Sequence, residues 1–246
     1  MQDKHSLVDT IRSMLVPIHK DGTKFVIGFA VVTIVLITIS QFLGWLGIIA
    51  TIWCAYFFRD PERFPPDRDD VVVAPADGRI SAIERVAAPR ELDLDGETRM
   101  RISIFLSVFD VHINRAPVAG TIRKIEYVPG KFLNADLDKA SEENERQCLT
   151  LETENGTRIG CVQIAGLVAR RIVTFVSQGD TVKAGDRFGL IRFGSRTDVY
   201  LPSGCDALVK VGQTAVGGET VLAELGTGNG RAEKPAETQA ARSKSA

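Results

Sequence analysis

Apolar positions along this chain fall into one long uncharged run followed by many short ones. Phe25 to Phe58 is 34 consecutive residues without a charge. As a single helix it would measure about 51 Å, whereas a bilayer core of ~30 Å needs roughly 20 residues. The run is interrupted near Ser40-Gln41 and again at Gly44 and Gly47. The pattern therefore predicts two short helices folded back as a membrane-associated hairpin, at about 25–40 and 43–58. Lys4, Arg12, Lys20 and Lys24 precede the run, and Arg59, Arg63 and Arg68 follow it. Basic residues at both ends place both ends on the cytoplasmic side. Trp45, Trp53 and Tyr56 suit the interface. Each half is short for a full span, so crossing and shallow insertion both stay open. The basic leader is too long, and the run lacks a small-residue cleavage site, for a secretory signal.

From Val71 the period changes. Short apolar runs alternate with Gly, Pro and Asp turns: 71–73, 101–106, 120–127, 159–165, 172–176 and 188–191. This predicts a mainly β domain of short strands. Only Leu137 to Gln147 has a helical pattern, and a loop fits it as well. From Gly226 onward large apolar residues almost vanish, so a disordered tail is expected. The organisation predicted is an N-terminal cytoplasmic segment (1–24), the hairpin (25–58), a β-rich domain (59–225) and a tail (226–246).

One internal echo stands out. Ala74-Pro75-Ala76-Asp77-Gly78-Arg79-Ile80 is matched 42 residues later by Ala116-Pro117-Val118-Ala119-Gly120-Thr121-Ile122. Both read as a Pro-then-Gly turn entering a strand. The second copy has Ala119 in place of Asp77, so the turn itself does not require the carboxylate. Gly179 to Asp186 adds a further hairpin-like step. Repeated, glycine-punctuated short strands predict a sandwich or flattened barrel resembling lipoyl and biotinyl carrier domains.

Composition narrows the chemistry. A net charge of −1 and the lack of a basic stripe give no electrostatic footprint for nucleic acid. Cys54, Cys148, Cys161 and Cys205 are widely spaced, which indicates neither a zinc site nor a disulfide framework. Three histidines, His5, His19 and His112, are too few for a multi-histidine metal centre, and no metal is expected. His112 is the only histidine beyond the N-terminal segment, within the stretch Phe105 to Pro117. Asp110 lies two residues before it, so on a strand the two would share a face. Asp77 precedes Gly78 in the first echo turn. Phe193-Gly194-Ser195 follows an apolar strand, and by itself reads as a turn or bulge. It is not a G-x-S-x-G elbow, because Phe193 and Thr197 occupy the outer glycine positions.

Taken together, these pieces resemble the phosphatidylserine decarboxylase family, in particular its short membrane-associated bacterial and archaeal members. The resemblance is carried by Phe57-Phe58-Arg59-Asp60-Pro61-Glu62-Arg63, Ala74 to Gly78, Phe105 to Pro117, Tyr127 to Phe132, Glu142 to Arg146, Gln163 to Gly166 and Arg192 to Val199. It covers all but the first 24 residues and the tail. Long members carry a second histidine three residues after the first and a Leu-Gly-Ser-Thr cleavage motif. Here those positions hold Arg115 and Phe193-Gly194-Ser195-Arg196, so no role of that second histidine transfers.

The resemblance implies a proenzyme cut between Gly194 and Ser195. The Ser195 hydroxyl attacks the Gly194 carbonyl and the peptide shifts to an ester. Elimination and hydrolysis then leave a pyruvoyl group and ammonia. Serine needs a base or strain for such an attack, and Asp77 and His112, with Asp110 beside it, are the candidates. The products would be a β chain (1–194) and an α chain (195–246) that stay together. The pyruvoyl group would serve as the electron sink for decarboxylating phosphatidylserine to phosphatidylethanolamine. His112, with an ordinary pKa near 6.5, would then protonate the carbanion. Asn114, Arg115 and Lys131 are candidates to meet the substrate phosphate. The hairpin favours a lipid substrate and an inner-membrane location with the catalytic domain on the cytoplasmic face. Two alternatives remain at this point: a pyruvoyl decarboxylase of a soluble amino acid, and a membrane-tethered lipoyl-like carrier or adaptor at Asp138-Lys139-Ala140. A homo-oligomer is left open.

Overall fold

The computed structural model describes residues 16–132, 143–166, 171–192 and 195–226. The apolar run forms helices α1 (Lys20–Ile39) and α2 (Gln41–Phe57). They are broken at Ser40, which is extended at φ −159° and ψ 135°. The hairpin is thus present, but α1 starts earlier than the apolar run. His19 caps it by accepting from the Asp21 amide at 3.3 Å. The expected breaks at Gly44 and Gly47 do not occur. Both glycines lie within α2 and let the helices approach closely. A Cβ on Gly47 would stand 2.8 Å from Thr33 Oγ1, and one on Gly44 would stand 2.7 Å from Ile37 Cγ1. Thr33 and Thr51 hydroxyls hydrogen-bond across the pair at 3.0 Å.

The rest is mainly β, as the short-strand pattern predicts. In chain order the strands are β1 (Val71–Val73), β2 (Gly78–Ala87), β3 (Thr98–Leu106), β4 (Ile113–Arg115), β5 (Gly120–Val128), β6 (Arg146–Glu152), β7 (Arg158–Ala165), β8 (Ile172–Thr174), β9 (Thr181–Val182), β10 (Arg187–Ile191), β11 (Ser195–Tyr200), β12 (Thr214–Ala215) and β13 (Val221–Glu224). Eight of them form one curled antiparallel sheet in the order β12-β2-β3-β11-β7-β6-β5-β9. Two small sheets, β4-β10-β8 and β1-β13, close around it. The helical reading of 137–147 fails at its end: Arg146 and Gln147 open β6, where side chains alternate between two packed faces. Residues 137–142 lie outside the described residues, as do Asp138, Lys139 and Ala140. So does the tail beyond residue 226.

The sequence echo is a structural repeat. Gly78 pairs with Ala215 and Gly120 with Val182. Both β2 and β5 then shift register by one bulge, after Ile80 and after Ile122. Backbone bonds correspond one for one. Gly218 N–H donates to Ala74 and Gly185 N–H to Ala116; Gly212 N–H donates to Ile80 and Gly179 N–H to Ile122. Each entering glycine faces a carbonyl. A Cβ on Gly78 would lie 2.2 Å from Phe105 O, and one on Gly120 would lie 2.4 Å from Glu152 O. The two copies lock together through Val73 N–H to Pro117 and Arg115 N–H to Pro75. The copy containing β4 to β10 is continuous in sequence. The other is split, with β1 to β3 before the insertion and β11 to β13 after it. Ser195 is therefore the residue at which the chain re-enters the split copy.

The core fills the concave side with Ile80, Ile102, Ile104, Leu106, Ile122, Leu149, Leu151, Phe188 and Val199. The convex side is covered by Leu92 and Leu94, which pack on Val162, Ile164 and Tyr200. The base of the hairpin docks on the small sheet. Phe25, Trp53, Cys54, Phe57 and Phe58 pack with Val111, Ile113, Val173 and Leu190.

Candidate active site

Ser195 opens β11, the central strand of the curled sheet. It pairs with Leu106 on one side and Ala165 on the other. Its side chain is wholly buried, and Oγ has no hydrogen-bond partner among the described residues. An unsatisfied buried hydroxyl costs stability, and the Ser103 and Thr197 hydroxyls in β3 and β11 share that state. Gly194 lies outside the described residues.

His112 sits on the neighbouring element. The Ser107–Val111 turn is tied at both ends to the residues that flank positions 192–194: Leu106 pairs with Ser195, and the Ile191 N–H donates to the His112 carbonyl at 3.3 Å. His112 Nδ1 is 2.9 Å from the Asp110 carbonyl oxygen. A neutral ring that donates from Nδ1 presents a lone pair on Nε2, and Nε2 is buried without a partner among the described residues. The ring packs against Phe57, the last residue of α2, with centroids 4.2 Å apart. Burial pushes the His112 pKa down to about 4, although the Asp110 carbonyl and carboxylate pull upward. The expectation of an ordinary imidazole pKa is thereby corrected: at neutral pH the resting ring is a proton acceptor.

The shared strand face of Asp110 and His112 is also corrected. Residues 107–112 form a turn and an extended connection, and β4 begins only at Ile113. The Asp110 carboxylate closes that turn, accepting from Ser107 N–H and Ser107 Oγ at 2.7 Å each. It acts on His112 through its backbone carbonyl. Asp77 has both oxygens engaged. Arg63 donates to Oδ2 at 2.6 Å and the Gly217 amide donates to Oδ1 at 2.8 Å. Burial nevertheless raises its pKa, outweighing the Gly217 bond and the Arg63 charge. Ala119 holds the matching position in the other copy, where the turn forms without a carboxylate.

Two of the expected phosphate contacts are turned inward. Arg115 is buried and donates to Asp60, Pro61 and Gly185, fastening the segment after α2 to the β domain. Asn114 is fully buried and accepts from Gln163 Nε2 at 2.7 Å. Neither is available at the surface: Arg115 is spent on the segment after α2 and the Gly185 turn, and Asn114 joins the small sheet to β7. Lys131 is exposed and paired with Glu143 at 3.0 Å. The residues left without a role by sequence reasoning are Gln163 and Thr197, which face each other across β7 and β11. Gln163 Oε1, Thr197 Oγ1 and Asn114 Nδ2 are buried without partners among the described residues. The only prior signal of them was that both fall within stretches carrying the family resemblance. Among the described residues no cluster of three or more His, Cys, Asp or Glu side chains offers a metal site.

Ser195, buried without a partner among the described residues, thus opens the central strand of the curled sheet, and the turn that follows its strand partner Leu106 leads to the acceptor ring of His112. The family model for phosphatidylserine decarboxylase matches residues 50–223. The chain is 58% identical over 222 residues to the phosphatidylserine decarboxylase proenzyme of Nitrobacter winogradskyi, covering 90% of each chain. The chain belongs to the phosphatidylserine decarboxylase family, and it is a carboxy-lyase.

Proposed function

We propose that this protein decarboxylates phosphatidylserine to phosphatidylethanolamine after cutting itself between Gly194 and Ser195. The observation that carries the reading is the buried Ser195 Oγ, without a partner among the described residues, at the start of the central strand and next in sequence after Gly194. That Oγ and the absence of a side chain on Gly194 fit conversion of Ser195 to a pyruvoyl group. That group would supply a carbonyl that takes up the electrons released as carbon dioxide leaves.

The chain's own residues divide the remaining work. His112 takes the Ser195 hydroxyl proton on Nε2, the nitrogen with no partner among the described residues; both Asp77 oxygens already accept bonds. In turnover the same nitrogen takes a proton shed by the substrate amine and returns it to carbon. Asp110 is a positioning residue that fixes the imidazole through its carbonyl. Asp77, tied to Arg63, is the second candidate base, and its raised pKa suits a group that exchanges a proton. After the cut, the α chain stays bound because β11 lies between β3 and β7 of the β chain. The hairpin holds the domain at a membrane: α1 is long and apolar enough to cross one, and most of its apolar side chains are exposed. That favours a lipid substrate over a soluble amino acid.

Intact-mass analysis and a denaturing gel test the reading. Wild-type protein is expected as fragments of residues 1–194 and 195–246, the smaller with a blocked N-terminus. Ser195→Ala is expected to stay whole. His112→Ala is expected to slow cutting by about 10²–10⁴-fold, the usual worth of a general base. A single uncut wild-type chain that nonetheless releases carbon dioxide from phosphatidylserine would refute self-cleavage.

A further inference from the structure

β8 and β10 run antiparallel with Ile191 opposite Ile172. The Arg192 N–H donates to the Arg171 carbonyl at 3.2 Å, which carries the ladder one step further and sets Arg192 directly opposite Arg171. Directly opposed residues have Cβ atoms about 5 Å apart on one face, and like charges there repel. The neighbour Arg171 adds to burial in lowering the Arg192 pKa, offset in part by Asp21. Among the described residues no carboxylate is ion-paired with either guanidinium, whereas Arg68, Arg123 and Arg158 each find one. Arg192 Nε is buried without a partner among the described residues.

The face they share is the hairpin side. Leu190 and Val173, two residues back on each strand, pack with Phe25, Phe57 and Phe58. The Arg192 guanidinium carbon lies 5.0 Å from the centre of the Phe25 ring, and Lys24 Nζ lies 5.5 Å from the same centre. Two cations, Lys24 and Arg192, thus meet one aromatic ring at the foot of the hairpin, with Arg171 opposite Arg192 on the neighbouring strand. Arg192 is three residues before Ser195. Two neighbouring guanidiniums without an ion-pair partner among the described residues match a phosphate oxygen pair in shape and charge.

We propose that Arg171 and Arg192 form a phosphodiester subsite for a lipid headgroup at the foot of the hairpin. Resting on the decarboxylase reading, this subsite receives the phosphate of phosphatidylserine and sets the serine moiety toward residue 195. It replaces the inward-turned Asn114 and Arg115 in that task.

The test uses full-length protein whose cleavage is complete by mass, with Arg171→Gln, Arg192→Gln and Arg171→Lys. Arg123→Gln, an exposed ion-paired arginine on β5, serves as the control. In neutral-detergent micelles containing phosphatidylserine as the sole anionic lipid, each Gln variant is expected to raise KM by about 10-fold, the worth of one charge-assisted hydrogen bond. The change in kcat should be smaller, and Arg171→Lys should recover part of the loss. Binding to phosphatidylglycerol vesicles without phosphatidylserine is the second arm. A fall in vesicle binding with unchanged KM would still support a phosphodiester subsite, but one occupied by a bystander lipid. If both arms match wild type and Arg123→Gln, the proposal is overturned. If wild-type protein never releases carbon dioxide, the decarboxylase reading fails, while the vesicle arm still decides the subsite.

Discussion

His112 concentrates most of the site's physics in one ring. Its Nδ1 is spent on a backbone carbonyl, Phe57 covers its face, and Nε2 is buried without a partner among the described residues. A folded-state pKa of about 4 against about 6.5 when unfolded has a definite sign. Between those values the unfolded chain binds more protons than the folded one. Stability conferred by the neutral ring is therefore complete above about pH 6.5 and is lost as pH falls toward about 4, on the order of 3 kcal/mol in all. Denaturant titrations of the unprocessed Ser195→Ala chain across this range are expected to show that slope. His112→Gln should flatten it, and an unchanged slope would show that other groups carry it. The residue types of this site were legible in the sequence, but their arrangement was not. Asp110-Val111-His112-Ile113 alternates like a strand, yet Asp110 closes a turn there by accepting two bonds from Ser107. A local side-chain bond of that kind overrides apolar periodicity without changing it.

At the scale of elements, the hairpin and the apolar strands could be read from hydropathy, whereas β11 could not. Ser195-Arg196-Thr197-Asp198 is polar at every position, yet all four side chains are buried. Arg196 and Asp198 neutralise each other on the convex face, with Nε to Oδ1 at 2.9 Å. A central strand that pairs its own charges carries no apolar pattern. The glycines of α2 were misread for a related reason. Glycine marks both a break and a close approach, and only the partner helix decides which. Here Thr33 and Ile37 fill the space. Gly47→Leu is accordingly expected to drive the helices apart at a cost of about 1–3 kcal/mol, measured as a lower Tm of the detergent-solubilised protein. Because α2 ends on Phe57 against His112, the same variant should reduce activity although it lies well away from Ser195. Unchanged Tm and activity would mean the helices do not pack through Gly47.

The whole molecule sets how deep the hairpin can go. Its foot is spent on protein contact: Phe25, Val26, Trp53, Cys54 and Phe57 pack against the β domain. What remains free is residues 27–39 of α1 and 41–52 of α2, about 20 Å of helix. A hydrocarbon core is ~30 Å thick. The β domain cannot follow the helices inward, because Lys24 and Arg192 beside Phe25 and Arg59 beside Tyr56 are cations at the foot that stay with the headgroups. On the anchoring proposed above, the Ser40 turn therefore stops short of the opposite headgroups, and the hairpin enters from one side only. Single-cysteine labelling decides this. The native cysteines among the described residues are all buried, so Ser40→Cys in sealed vesicles reports on the tip alone. A bulky impermeant maleimide is expected to leave it unlabelled from either side until detergent is added. Labelling from the face opposite the β domain would mean that the hairpin spans.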